Sequence, residues 1–170
     1  VLAAEMHAGF TALRSYCPMN LRVSYTDCQP PAEVLADLQR LETLWSWARE
    51  TTGSSIPWLC GAYSAADAFF APVATRIATY NLPVGPEAML YVNAHLAHPS
   101  FRRWRAMGLV DGADQEFYRR DYPRRDWPGP VPLPATSADC VDTVNQACPY
   151  SGKPVTHALE LYGRRFGFCN

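Results

Sequence analysis

The stretch SAADAFFAPVATRI, residues 64–77, constrains this chain more than any other. After Asp67 it is almost wholly apolar, so a helix here has to be buried on most sides. A buried helix start is costly, because its first backbone N–H groups have no partner inside the helix. With the helix starting at Ala65, Ser64 takes the N-cap position and its hydroxyl can accept from the Asp67 N–H. The Asp67 carboxylate, at the third helical position, can reach back to the Ser64 N–H. That is a capping box with Asp in place of the usual Glu or Gln, at the positive end of the helix dipole. Ser64 and Asp67 are predicted as the structural cap of a buried central helix. Pro72 lies inside that helix and should kink it.

The flanking pattern is helical as well. Residues 1–22 read as one helix with an apolar face of Leu2, Met6, Phe10, Leu13 and Cys17. Residues 23–31 read as a loop, with Pro31 placed to open the next helix. Residues 32–51 carry the clearest amphipathic stripe, Val34, Leu38, Leu41, Trp45 and Ala48, with Asp37, Arg40 and Glu50 on the outer face. A fourth helix is predicted from Pro86 to about Leu96. A fifth starts near Pro99, with a resumption over residues 111–119.

The character then changes. Residues 121–136, DYPRRDWPGPVPLPAT, hold five prolines, which predicts an extended strap. In the last segment, Val155, His157 and Leu159 alternate as one strand face, and Tyr162–Gly163 can turn a hairpin into RRFGF. The expected fold class is therefore all-α: a helical bundle over residues 1–120, a strap over 121–147 and a small β hairpin over 148–170.

The formal net charge is −1, so no global field recruits nucleic acid or an anionic membrane. No apolar run approaches the ~18 residues of a spanning helix. The six cysteines sit mostly in apolar contexts in a chain that is 48% hydrophobic, which predicts a reduced, cytoplasmic protein. The chain opens on Val1 within a helical pattern, from which a preceding N-terminal part is expected.

Three stretches, AEMHAGFTALRSYCPMN, PWLCGAYSAADAFFAPVATRI and HPSFRRWRAMGL, make residues 1 to about 118 resemble the C-terminal all-helical domain of cytosolic glutathione S-transferases. The second is the most specific: an entry W-L-x-G-x-x-S-x-A-D precedes the family's central helix, and Ser64 and Asp67 match its capping box. The resemblance implies a homodimer that transfers the glutathione thiol to a hydrophobic electrophile. Glutathione, the co-substrate, would be held and activated by a thioredoxin-like domain that this sequence does not contain. These helices would supply one wall of the electrophile pocket. On that wall Arg14 could attract a carboxylate, and Met6, Phe10 and Tyr80 could line an apolar pocket, against the plainer reading of a solvated arginine and ordinary core. Cys17, near a helix C-terminus, lacks the cation or helix N-terminus that activates a thiol.

The tail, CPYSGKPVTHALELYGRRFGFCN, resembles the start of a small zinc-ribbon-like module. Only Cys148 and Cys169 match as metal ligands, and Ser151 stands where a C-x-x-C knuckle has its second cysteine. Zinc is therefore possible but not favoured, since two thiolates leave a tetrahedral site half filled. A disulfide among Cys140, Cys148 and Cys169, or free thiols, are the alternatives. A non-catalytic binding or assembly module with a metal- or partner-binding tail is the rival to the transferase reading.

Overall fold

A computed structural model describes residues 1–55, 57–110 and 112–169. It divides into two compact units, Val1–Pro130 and Val131–Asn170. Among the described residues the first holds six helices, α1 (Leu2–Ala8), α2 (Thr11–Tyr16), α3 (Ala32–Thr52), α4 (Ala65–Tyr80), α5 (Pro86–Ala97) and α6 (Pro99–Val110). It also holds an antiparallel pair, β1 (Ser24–Tyr25) with β2 (Arg124–Arg125). The second unit is a three-stranded antiparallel sheet, β3 (Thr136–Ala138), β4 (His157–Leu161) and β5 (Arg164–Phe168), in the order β3-β4-β5.

The expectation of an all-α chain is thus corrected to a mixed one, with helices and two small sheets. The sheet missed by the sequence joins the presumed loop at 23–31 to the proline-rich strap. Pro123 and Pro128 leave residues 124–127 with free N–H groups between them, and a short antiparallel pairing suits such a gap. The pair is stitched to the end of α4. The Ser24 hydroxyl donates to the Ala78 carbonyl (2.7 Å), and Arg125 Nε donates to Ser24 Oγ (2.9 Å). Tyr25 is buried with its ring 5.5 Å from that of Tyr80 and 5.8 Å from that of Tyr122.

The first helix is also divided. Gly9 is extended, and Phe10 takes the left-handed conformation at φ 58°. A Cβ on Gly9 would lie 2.7 Å from the Glu5 carbonyl oxygen, so glycine permits this close turn. The apolar register survives the break, because Met6, Phe10, Leu13 and Cys17 are all buried. Asp37, assigned to an outer face, instead accepts the Leu13 N–H at 2.9 Å and so caps the first turn of α2 from α3. Arg40 grips Glu5 with two bonds (2.7 and 3.0 Å).

Helix α3 follows its stripe: Val34, Leu38, Leu41, Trp45 and Ala48 are all buried. It stops at Gly53, left-handed at φ 64°, as a C-terminal glycine should. Helix α4 runs through Pro72 unbroken, with buried residues on nearly every side after Asp67. Helix α5 starts with Pro86 at its first position and ends ahead of Pro99. The predicted resumption over 111–119 is a single 3-10 turn at Glu116–Tyr118, Asp111 lying outside the described residues.

In the second unit the hairpin turns on Tyr162 (φ 51°) and Gly163 (φ 71°), the pair of positive angles a two-residue turn requires. Its buried face differs from the expectation. Ala158 and Gly167, paired across β4 and β5, are buried, whereas His157 and Leu159 are exposed. A Cβ on Gly167 would meet Val155 Cγ1 at 2.5 Å, so Val155 packs on the sheet from outside the strand.

Candidate functional site

The start of α4 gathers the densest polar geometry of the helical unit. Asp67 is fully buried. Its Oδ2 accepts the Ser64 N–H (2.8 Å) and the Ser64 hydroxyl (2.9 Å), and the Ser64 side chain completes the capping box toward the Asp67 N–H. Its Oδ1 accepts the Leu59 N–H (3.1 Å) and the Tyr91 hydroxyl (3.0 Å). One carboxylate therefore ties the loop before α4, the cap and α5 together. Burial and the neighbouring Asp67 carboxylate push the Tyr91 phenol well above its usual range.

His95, read from sequence as one of several scattered histidines, belongs to the same centre. It is fully buried on α5. Its Nε2 lies 2.9 Å from the Asp67 carbonyl and its Nδ1 3.0 Å from the Tyr91 carbonyl. Burial lowers its pKa, with the two carbonyls opposing. Trp58 packs edge-on to His95 (5.2 Å) and His98 (5.6 Å), and Tyr63 stacks on His98 at 4.0 Å. These bonds close on one another, which makes the centre a strut.

The residues predicted to line a pocket are placed differently. Met6, Phe10 and Tyr80 are core residues, and the Tyr80 hydroxyl donates to the Pro18 carbonyl at 2.9 Å. Arg14 is exposed and donates from Nη1 to the His7 carbonyl (3.0 Å), closing the end of α1. The structure thus brings Met6 and Phe10 into one core cluster with Tyr80, and turns Arg14 away to a helix end. Cys17 is fully buried, and burial, with Cys28 beside it, pushes its thiol up to about 12.

A cleft of about 260 Å³ opens instead around Arg22, Trp104, Asp114 and Tyr118. Arg22 Nε donates to the Gly108 carbonyl (2.8 Å), Nη2 to that of Gly112, and Nη1 lies 3.3 Å from Asp114 Oδ1. A second cleft, about 330 Å³, lies between α3 and the start of α5, with Trp45, Arg49 and Glu87 among its walls. Arg49 is buried one residue beyond the stripe that the sequence pattern ended at Ala48. Its signal was available: it follows Trp45 by four positions and so shares that residue's face.

In the second unit Ser151 links the two predicted metal ligands. Its Oγ lies 3.1 Å from Cys169 Sγ. The Ser151 hydroxyl, with the backbone N–H groups of Ser151, Tyr150 and Cys169, draws the Cys148 thiol down to about 6. The knuckle is closed by the Cys148 N–H to the Lys153 carbonyl and the Gly152 N–H back to the Cys148 carbonyl, both 2.8 Å. Cys17, Cys28, Cys60, Cys140 and Cys148 are free thiols. Among the described residues no third His, Cys, Asp or Glu joins the pair. His157 turns its Nδ1 to Thr156 Oγ1 (2.9 Å) and stacks on Phe168. Cys148 and Cys169 would supply two of the four ligands that a structural zinc site takes.

No helix among the described residues is long and apolar enough to cross a membrane. No family model, curated protein or solved structure matches the chain.

Proposed function

We propose that this chain is the helical, electrophile-side domain of a glutathione S-transferase-like protein, cytoplasmic and homodimeric, whose thiol chemistry resides on a thioredoxin-like domain. The observation that carries the reading is the buried Ser64–Asp67 box at the head of the central helix. The W-L-x-G-x-x-S-x-A-D entry gives each of its polar members a bond in this geometry: Leu59, Ser64 and Asp67 meet on one carboxylate. The division of labour follows from chemistry. A free thiol, with a pKa of ~8.5, is mostly protonated at neutral pH, and conjugation requires a group that lowers it. It also requires donors for the carboxylates of glutathione, and the arginine best placed by sequence, Arg14, is engaged at the end of α1. The helical domain would then contribute proximity and shape at the electrophile.

The second reading, a binding or assembly module, is favoured by Met6, Phe10 and Tyr80 being core and not pocket wall. Conjugation of glutathione to an aryl halide separates the two. The protein translated from its whole reading frame should catalyse saturably, and the 170-residue chain should run at the buffer rate. Buffer-rate conjugation by both would overturn the transferase reading.

A further inference from the structure

The second unit, Val131–Asn170, is about 40 residues long. Among its described residues the buried hydrophobic side chains are those of Cys148 and Ala158. Val141, Tyr150, Leu159, Tyr162 and Phe166 all stay exposed. So small a core falls short of the entropy cost of ordering the segment, and units of this size are usually held by a disulfide, a metal or a partner.

Two sulfurs meet where such a staple would act. The Ser151 hydroxyl reaches both: it donates to the Cys148 sulfur, and its oxygen lies 3.1 Å from Cys169 Sγ. The Cys169 N–H also points at the Cys148 sulfur, beside those of Tyr150 and Ser151. These donors fix the Cys148 sulfur and favour its anion. Cys148 sits in the knuckle closed by Lys153 and Gly152, and Cys169 follows directly on β5. The chain leaving the knuckle is tied to the same strand end, because the Thr156 N–H donates to the Phe168 carbonyl at 3.0 Å. A structural metal takes further ligands, and among the described residues no third His, Cys, Asp or Glu joins the pair. A disulfide takes these two sulfurs alone.

We propose that Cys148 and Cys169 are a reversible disulfide site, oxidised by a peroxide, that staples the knuckle to the end of β5. Exposure sets the order of events. Cys169 is half-buried, whereas Cys148 is 5% exposed. The peroxide therefore meets Cys169. Its O–O bond breaks, one oxygen joins the Cys169 sulfur as a sulfenic acid, and the other leaves as water. The Cys148 thiolate, which needs no contact with the oxidant, then attacks that sulfur. An S–S bond forms and the S–O bond breaks. The departing hydroxide takes up the proton that Cys148 released and becomes a second water. Two thiols lose two electrons and two protons in all, and the peroxide is reduced to two waters. A dithiol reverses the step by exchange, becoming a disulfide itself. This inference is independent of the transferase reading.

The test treats the full chain with a slight excess of hydrogen peroxide, blocks the remaining thiols with a maleimide, and maps its peptides by mass without reduction. A peptide linking Cys148 to Cys169 should appear, and should vanish after dithiothreitol. Cys60 and Cys140, both exposed, should carry the maleimide, because geometry and not exposure selects the pair. In Cys148→Ser, dimedone should trap a sulfenic acid at Cys169. Ser151→Ala should link about two- to tenfold more slowly, the range for one lost hydrogen bond. In the linked protein, amide exchange across β4 and β5 should slow about tenfold or more against the reduced protein. No link, or a link to Cys60 or Cys140, would overturn the site. No sulfenic acid at Cys169 would overturn the order of events. An unchanged linking rate in Ser151→Ala would overturn the part given to Ser151, and unchanged amide exchange would overturn the staple.

Discussion

Two buried charges in the helical unit, Asp67 and Arg49, invite comparison. Both sit on helices beside aromatic rings, and both are withdrawn from water. Asp67 finds four donors within the chain: two from Ser64, one from Leu59 and one from Tyr91. Arg49 keeps a loose ion pair with Glu87 and leaves Nη1 without an acceptor, as Trp45 leaves Nε1. A buried charge whose partners belong to its own chain does structural work. A buried charge with a donor to spare is instead a local cost that the surrounding packing has to offset. Burial alone does not separate the two cases; the inventory of hydrogen bonds does.

The largest effect that could break this contrast lies at Asp67. Asp67→Ala strips an acceptor from the Ser64 and Leu59 N–H groups and from the Tyr91 hydroxyl in one step. We expect a loss of about 3–5 kcal/mol, the range for removing one member of a buried charged network. Equilibrium denaturation checks this, and a loss under about 1 kcal/mol would mean the carboxylate is not the tie it looks to be. Ser64→Ala should cost about 1–2 kcal/mol, the upper part of the capping range, because the helix start is buried. Tyr91→Phe removes one donor and keeps the ring, and should cost about 1 kcal/mol by the same measurement.

The same centre should respond to pH. Burial depresses the pKa of folded His95 below its ordinary 6.5, so the unfolded chain binds the extra proton first. Stability is then full above about pH 6.5 and falls as pH drops toward the depressed folded value. Denaturation midpoints between neutral and mildly acid pH should show this fall, and His95→Asn should flatten it. A midpoint that rises on acidification would reverse the sign and show that the two carbonyls dominate over burial.

The two charges were also unequally legible in the sequence. The Asp67 cap could be read because its logic is local: Ser64, Asp67 and the apolar run lie within one stretch. Helices α3, α4 and α5 and the β4–β5 hairpin were legible for the same reason, through period and turn residues. Pairing of Ser24–Tyr25 with Arg124–Arg125 was not, since it joins segments about a hundred positions apart and each is only two residues long. The break at Gly9–Phe10 hid because the apolar register continues across it. Asp37 looked like a surface charge because its partner, the Leu13 N–H, is orphaned only once that break exists. For Arg49 the spacing of four from Trp45 carried a signal of burial that the stripe, ended at Ala48, left unused, and its lack of an acceptor on Nη1 has no local signature at all. Met6, Phe10 and Tyr80 show the converse limit: periodicity predicts an inward face and cannot say whether that face meets core or cavity.

The smallest expected effect lies beside Asp67's counterpart Arg49, at Trp45. Trp45→Phe deletes a donor that no group of the chain uses, so it should cost under about 1.5 kcal/mol, a packing term alone. A cost matching Asp67→Ala would show that the indole N–H has a partner within the fold.

The most direct measurement of the contrast is the equilibrium denaturation of Asp67→Ala beside that of Arg49→Met. Asp67→Ala should lose about 3–5 kcal/mol, because the four donors converging on the carboxylate lose their acceptor, while Arg49→Met should lose under about 1 kcal/mol, because it gives up only a loose ion pair to an exposed carboxylate. Equal losses in the two variants would contradict the account.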